Sequence, residues 1–130
     1  MALTLSAVKT SNSPGAGGMW VATGATDATA AAAQNVYCGF MPTRIEVLNI
    51  TDQLTDLFVT GMTAGTSRHC LANGTWTDAV ANGFTQLVGT ESVPASTLVA
   101  LGTNGTGGAG FTIGTAPLVA SKNYVITAWR

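Results

Sequence analysis

The sequence predicts an all-β fold, an antiparallel β-sandwich or small β-barrel with long Gly/Thr-rich loops. Three observations carry that expectation. Short runs of alternating apolar residues recur at roughly 8–12-residue spacing, the rhythm of strands joined by turns. Thr, Ala and Gly are the three commonest residues; Thr suits a pleated strand, and Gly suits the positive-φ turns between strands. The one helix-prone run, Ala30–Ala33, has no amphipathic stripe around it and allows at most a single turn or a tightly packed extended segment. A chain of 130 residues is expected to form one domain burying roughly two-thirds of its unfolded surface. Residues 1–18 read as a flexible N-terminal arm or edge strand, and 19–130 as a single β domain.

The elements follow in order. Residues 2–10 alternate weakly, with Leu3, Leu5 and Ala7 on one side. Ser11–Gly18 has loop composition. Met19–Ala22 is a short apolar run carrying Trp20, and Asn35–Phe40 leads into the densest strand signal, Gly39–Met62. Pro42 fits a strand entrance, where its missing N–H does no harm. From Arg44, Ile45, Val47 and Asn49 share one face; Glu46, Leu48 and Ile50 share the other. Both faces being largely apolar, the strand is expected to be buried on both sides or covered by a partner. Thr51-Asp52-Gln53 reads as the turn, with Asp52 bonding its own downstream backbone, and Leu54–Thr60 as the returning strand. Asn73-Gly74 and Asn82-Gly83 read as two tight type I′ hairpin turns. Leu98–Leu101, Phe111–Ile113 and Asn123–Trp129 are further strands, and Asn104–Gly110 is too glycine-rich to be regular.

Charge excludes some functions. Charged residues make up 8% of the chain against about 25% in ordinary soluble proteins. The five basic residues are scattered and the net charge is −1, which argues against nucleic-acid binding. There is no run of 18 apolar residues for a membrane span. The N-terminus lacks a basic region followed by an apolar core, so a soluble chain made in the cytoplasm without a signal peptide is expected. A surface this poor in charge suits either a small, quiet extracellular domain or, the favoured reading, a protein whose surface is covered by neighbours in an assembly.

Candidate chemistry is thin. His69 is the only histidine, and its neighbour Cys70 points to the opposite face of a strand, so the two do not converge on one ion. Asp52 and Asp56 are too few for a calcium loop; Asp52 reads as a turn residue, with Asp56 and Glu46 facing Arg44 or a partner's cation. The glycines of 102–110 lack the Lys-Ser/Thr of a phosphate loop. Three Asn-x-Thr sequons, at Asn49, Asn73 and Asn104, are expected of a Thr-rich chain by chance. Cys38 and Cys70 are expected to be reduced packing residues. Trp20, Trp76 and Trp129 could line a sugar groove, though core or interface anchoring is the commoner use. No catalytic residue, cofactor or metal site is expected.

The stretch Gly39-Phe-Met-Pro-Thr-Arg-Ile-Glu-Val-Leu-Asn-Ile-Thr-Asp52, followed by Gly61-Met62-x-Ala64-Gly65-Thr66, resembles small structural proteins of tailed-bacteriophage particles. Gly110-Phe-Thr-Ile-Gly114 and the closing Tyr124-x-Ile-x-Ala-Trp-Arg130 are similar to the same group. The resemblance spans about residues 34–70 and 108–130. Thr55–Thr60 departs from it, carrying fewer aromatic and charged residues than that group's returning strand tends to. The resemblance implies a non-enzymatic virion component, a capsid decoration (cement) protein on the capsid exterior, often a homotrimer, with the major capsid protein as partner. Leu3, Leu5, Leu48, Ile50 and Trp129 are the expected interface residues, with 1–18 and 102–110 as adaptable contact elements. The alternatives are a tail-tip or fibre-associated β module binding a host-surface glycan, a small glycan hydrolase using Asp52, Asp56 and Glu91, and a secreted host lectin-like domain, which the missing signal-peptide pattern disfavours.

Overall fold

The strands join into a single curled, antiparallel sheet that forms a half-barrel, and the described residues contain no helix. This architecture is that of a computed structural model, and the description covers residues 3–10, 19–30, 32–38, 40–88, 98–99 and 109–130. In chain order the strands are β1 (Leu3–Thr10), β2 (Met19–Thr26), β3 (Gln34–Tyr37), β4 (Arg44–Asn49), β5 (Leu54–Val59), β6 (Thr66–Cys70), β7 (Trp76–Ala81), β8 (Phe84–Val88), β9 (Leu98–Val99), β10 (Ala109–Ile113) and β11 (Asn123–Trp129). Their spatial order is β1-β2-β11-β4-β5-β6-β8-β10-β3-β9, with β7 leaving this path to pair with β6. Among the described strands only β3 and β9 pair in parallel. The N-terminal stretch lies at the sheet edge, antiparallel to β2.

Alternation builds the central strands. Tyr124, Ile126 and Ala128 of β11 and Ile45, Val47 and Asn49 of β4 turn inward, as expected of period-2 side chains. Curling brings distant strands together over this face. Trp20 of β2 meets Phe111 of β10 edge to face, with ring centroids 6.1 Å apart. Phe58 of β5 meets Phe84 of β8 at 6.4 Å. Fully burying such side chains contributes roughly 1.5–3 kcal/mol each. Leu3 joins this core, 3% exposed.

The β4–β5 hairpin forms as expected, pairing Asn49 with Leu54 and Arg44 with Val59. Its turn is held differently from the sequence expectation. Asn49, not Asp52, bonds the downstream backbone: its Oδ1 accepts from the Asp52 N–H at 3.0 Å, and its Nδ2 donates to Asp52 Oδ2 at 3.1 Å. Lys122 Nζ then donates to Asp52 Oδ1 at 3.0 Å, tying the turn to the start of β11.

Neither Asn-Gly pair makes a two-residue hairpin. Around Asn73-Gly74 the first strand pair is Cys70 with Trp76, leaving a five-residue loop in which only Gly74 has positive φ. Asn73 Oδ1 accepts from the Thr75 N–H at 3.0 Å, an Asx-type turn that competes with the I′ geometry. At Asn82-Gly83 the flanking strands do not pair with each other; both meet β6, through Thr66. Here Asn82 takes the positive φ of 58°, and Gly83 is needed for closeness. A Cβ on Gly83 would lie 2.2 Å from the Thr66 carbonyl carbon. Ala109 and Gly110, expected to be loop, open β10 instead. A Cβ on Gly110 would lie 2.0 Å from the Val36 carbonyl oxygen. Ala30, Ala32 and Ala33 are irregular rather than helical. Of the Leu98–Leu101 strand, Leu98 and Val99 form β9; the rest lies outside the described residues.

Candidate functional site

Two polar features and one apolar face are the places where this fold could do something. The first polar feature is a carboxylate inside the sheet. On β5 the parity that buries Phe58 also buries Asp56, 3% exposed. Cross-strand pairing sets His69 of β6 opposite it, with His69 Nδ1 2.9 Å from Asp56 Oδ1. Buried Ser67 Oγ donates to the same oxygen at 3.1 Å. Burial raises the Asp56 pKa above its ordinary value, with the His69 hydrogen bond and charge and the Ser67 hydrogen bond opposing. The three residue types are those of a hydrolytic triad, but the connectivity is not. A nucleophilic Ser must hand its proton to His, whereas this hydroxyl donates to the carboxylate. The arrangement is a satisfied buried charge that pins β5 to β6.

This placement corrects the expectation that Asp56 faces Arg44 or a partner's cation. Only Glu46 faces Arg44, its Oε2 3.4 Å from Arg44 Nη2. Strand parity carried the signal: Asp56 is two residues before Phe58, and one of the two neighbouring faces had to be the core. Asp52, engaged with Asn49 and Lys122 on its turn, does not join Asp56 as a catalytic pair, and Glu91 lies outside the described residues. Among the described residues no three His, Cys, Asp or Glu side chains cluster as a metal site would require. Both cysteines are free. Cys38 is buried, its Sγ donating to the Phe40 carbonyl at 3.2 Å, and burial pushes its pKa up to about 11, leaving an unreactive thiol.

The second polar feature lies on the β6–β7 arm. A bulge between Ser67 and His69 shifts the pairing and Ala79 takes a φ of 55°. There Arg68 Nε meets Asp78 Oδ1 at 2.9 Å and the Arg68 guanidinium covers the Trp76 ring at 4.8 Å. Beside them a shallow groove of about 420 Å³ runs over the outward side of β5 and β6, lined by Leu57, Val59, Met62, Thr66, Arg68 and Asp78.

The apolar face is the outside of β2, β11, β4 and β5. Leu48 is 36% exposed, Ile50 49% and Val59 38%, so the apolar residues on the outer side of β4 remain uncovered within one chain. In register with Leu48 are Val125 on β11 and Thr55 on β5, and Val125 in turn faces Thr23 of β2. The charges here compensate one another: Arg44 pairs with Glu46 and also lies over the half-buried Trp129 ring at 4.9 Å. Of the five residues expected at an interface, Leu48, Ile50 and Trp129 therefore share the outward side. Leu3 is sealed in the core, and the Leu5 side chain lies outside the description. The tryptophans do not converge. Trp20 is fully buried, while Trp129 sits in the register row of Arg44 and Trp76 in that of Leu48, about 13 Å apart along the strands.

Compared with protein-family models, with curated proteins and with solved structures, the chain matches none.

Proposed function

We propose that this protein is a non-enzymatic component of a tailed-bacteriophage particle, a capsid decoration protein that binds the outer capsid surface and associates with copies of itself. The observation that carries the reading is the outward side of β2-β11-β4-β5, where Leu48, Ile50 and Val59 stay exposed and Arg44 and Glu46 neutralise each other. Such a face loses apolar water contact on being covered and strands no charge in doing so. The charge-poor composition and the resemblance of the Gly39–Thr66 stretch to phage structural proteins support the same reading. Contacts to two or more capsomers at once would raise the effective concentration of each weak contact and so strengthen a shell under internal pressure.

Purified particles test it. This chain is expected in many copies, with its density on the shell exterior. A few copies at the tail would replace this reading with a tail-tip module, and a glycan array would then follow. Absence from particles would overturn both.

A further inference from the structure

The chain contains three Asn-Gly pairs, at Asn73, Asn82 and Asn104, and the fold treats two of them in opposite ways. An Asn followed by Gly is chemically labile because Gly has no side chain to shield its backbone nitrogen. That nitrogen, on losing its proton, attacks the Asn side-chain carbonyl carbon Cγ. A new N–Cγ bond forms, the Cγ–Nδ2 bond breaks and ammonia leaves, giving a five-membered succinimide. Water then opens the ring at either carbonyl, yielding aspartate or isoaspartate. The reaction is redox-neutral and needs only water, but the backbone must pivot so that the glycine nitrogen reaches Cγ.

At Asn73 little resists that pivot. Asn73 and Gly74 are both exposed at the tip of the β6–β7 loop. A Cβ built on Gly74 meets nothing within 4 Å. The bonds to be released are exposed turn bonds, Gly74 N–H to Leu71 O at 2.9 Å and Thr75 N–H to Asn73 Oδ1 at 3.0 Å. At Asn82 the same dipeptide is clamped from three sides. The attacking nitrogen belongs to buried Gly83 and donates to Gly65 O at 2.9 Å. The Asn82 carbonyl, which must swing for the ring to close, accepts from Ala116 N–H at 3.0 Å. Gly114 packs so closely on that carbonyl that a Cβ there would lie 2.1 Å from its oxygen. Releasing Gly83 means parting β6 from β8, because Gly65 N–H also donates to Phe84 O at 2.7 Å.

We propose that Asn73 is a site of spontaneous deamidation, the product carrying a new carboxylate at the β6–β7 tip, and that the strand junction protects Asn82 from the same reaction. The inference is independent of the virion reading. In a chain with six acidic residues, one more carboxylate is readily resolved by ion exchange.

The test incubates the full native chain in mildly alkaline buffer beside a sample in concentrated urea, followed by chymotryptic peptide mapping with mass spectrometry. Cleavage after Trp76 separates Asn73 from Asn82, and Asn104, outside the described residues, is tracked by fragment ions. The native chain should convert at Asn73 at least about tenfold faster than at Asn82, since local opening at an exposed loop costs far less than opening a buried junction. In urea the two rates should converge, and Asn73→Ser should remove the acidic species that mapping assigns to the Asn73 peptide. Equal native rates at both positions would overturn the proposal, as would an Asn73 that stays intact while the urea sample reacts. A rate difference that survives in urea would assign the protection to local sequence and overturn the structural explanation.

Discussion

The block β2-β11-β4-β5 and the junction where β5, β7 and β8 all meet β6 are built on different principles. In the block, strands run side by side over six or seven register pairs, and identity matters mainly through side-chain parity. At the junction, pairing is short: three pairs join β5 to β6, and a single pair, Thr66 with Phe84, joins β6 to β8. What holds it is backbone against backbone, through the bonds between Gly65 and residues 83 and 84, with Gly83 and Gly114 leaving no room for a side chain. A ladder built on side chains degrades by degrees when one is trimmed. A crossing built on their absence fails when one is added.

Gly83→Ala is expected to have the largest effect, at the junction. Its methyl would fall on the Thr66 backbone, which cannot rotate away as a side-chain end could. The expected loss exceeds about 4 kcal/mol, an outcome reserved for a few mechanisms of which overpacking is one. Urea denaturation reads it, and a variant as stable as the parent would show that the junction is plastic. Next comes Ile45→Ala in the block, fully buried on β4, where the cavity should cost about 2–5 kcal/mol while the transition stays cooperative. The refolded hairpin is expected to keep its register, readable in amide exchange.

The third prediction concerns the seam between the two regions. Because burial raises the Asp56 pKa above its ordinary 3.8, the folded chain takes up this proton before the unfolded chain does. The cost of the buried charge is thus present in full above the raised value and is relieved as pH falls through it towards 3.8. Asp56→Asn abolishes that titration. Denaturation at a series of pH values should therefore show the parent gaining stability on the variant as pH falls through that window. A parent that loses ground there would mean that the His69 pairing outweighs burial. Smallest of all should be Leu48→Thr, at an exposed outward position, changing the stability of the isolated chain by no more than ~0.5 kcal/mol. If the outward face docks as proposed, the same substitution should weaken binding to particles measurably, in a co-sedimentation assay.

Much of the block was legible in the sequence because a strand's period of two is written directly in residue order. Alternation separated Ile45 and Val47 from Leu48 and Ile50, and Tyr124, Ile126 and Ala128 from their neighbours; Leu48 and Ile50 marked a face that solvent alone does not suit. Asp56 shares the parity of Phe58, yet its charge pointed to the surface, towards Arg44 or a partner's cation; only the cross-strand neighbours His69 and Ser67, supplied by β6, make its burial tolerable. The junction could not be read. Asn82-Gly83 looks like Asn73-Gly74, and both look like hairpin turns.

What the sequence determined by itself is therefore the all-β class, the β4–β5 hairpin, which residues share a face on each central strand, and the scarcity of charge. What the tertiary structure decided is which glycine is a turn and which is a point of contact, which carboxylate is buried, and which of two identical dipeptides is held still. The reason is physical. Alternation and turn propensity act between residues near in sequence, whereas the curl that sets Gly83 against Thr66, Gly114 against Asn82 and Trp20 against Phe111 exists only once the strands have paired.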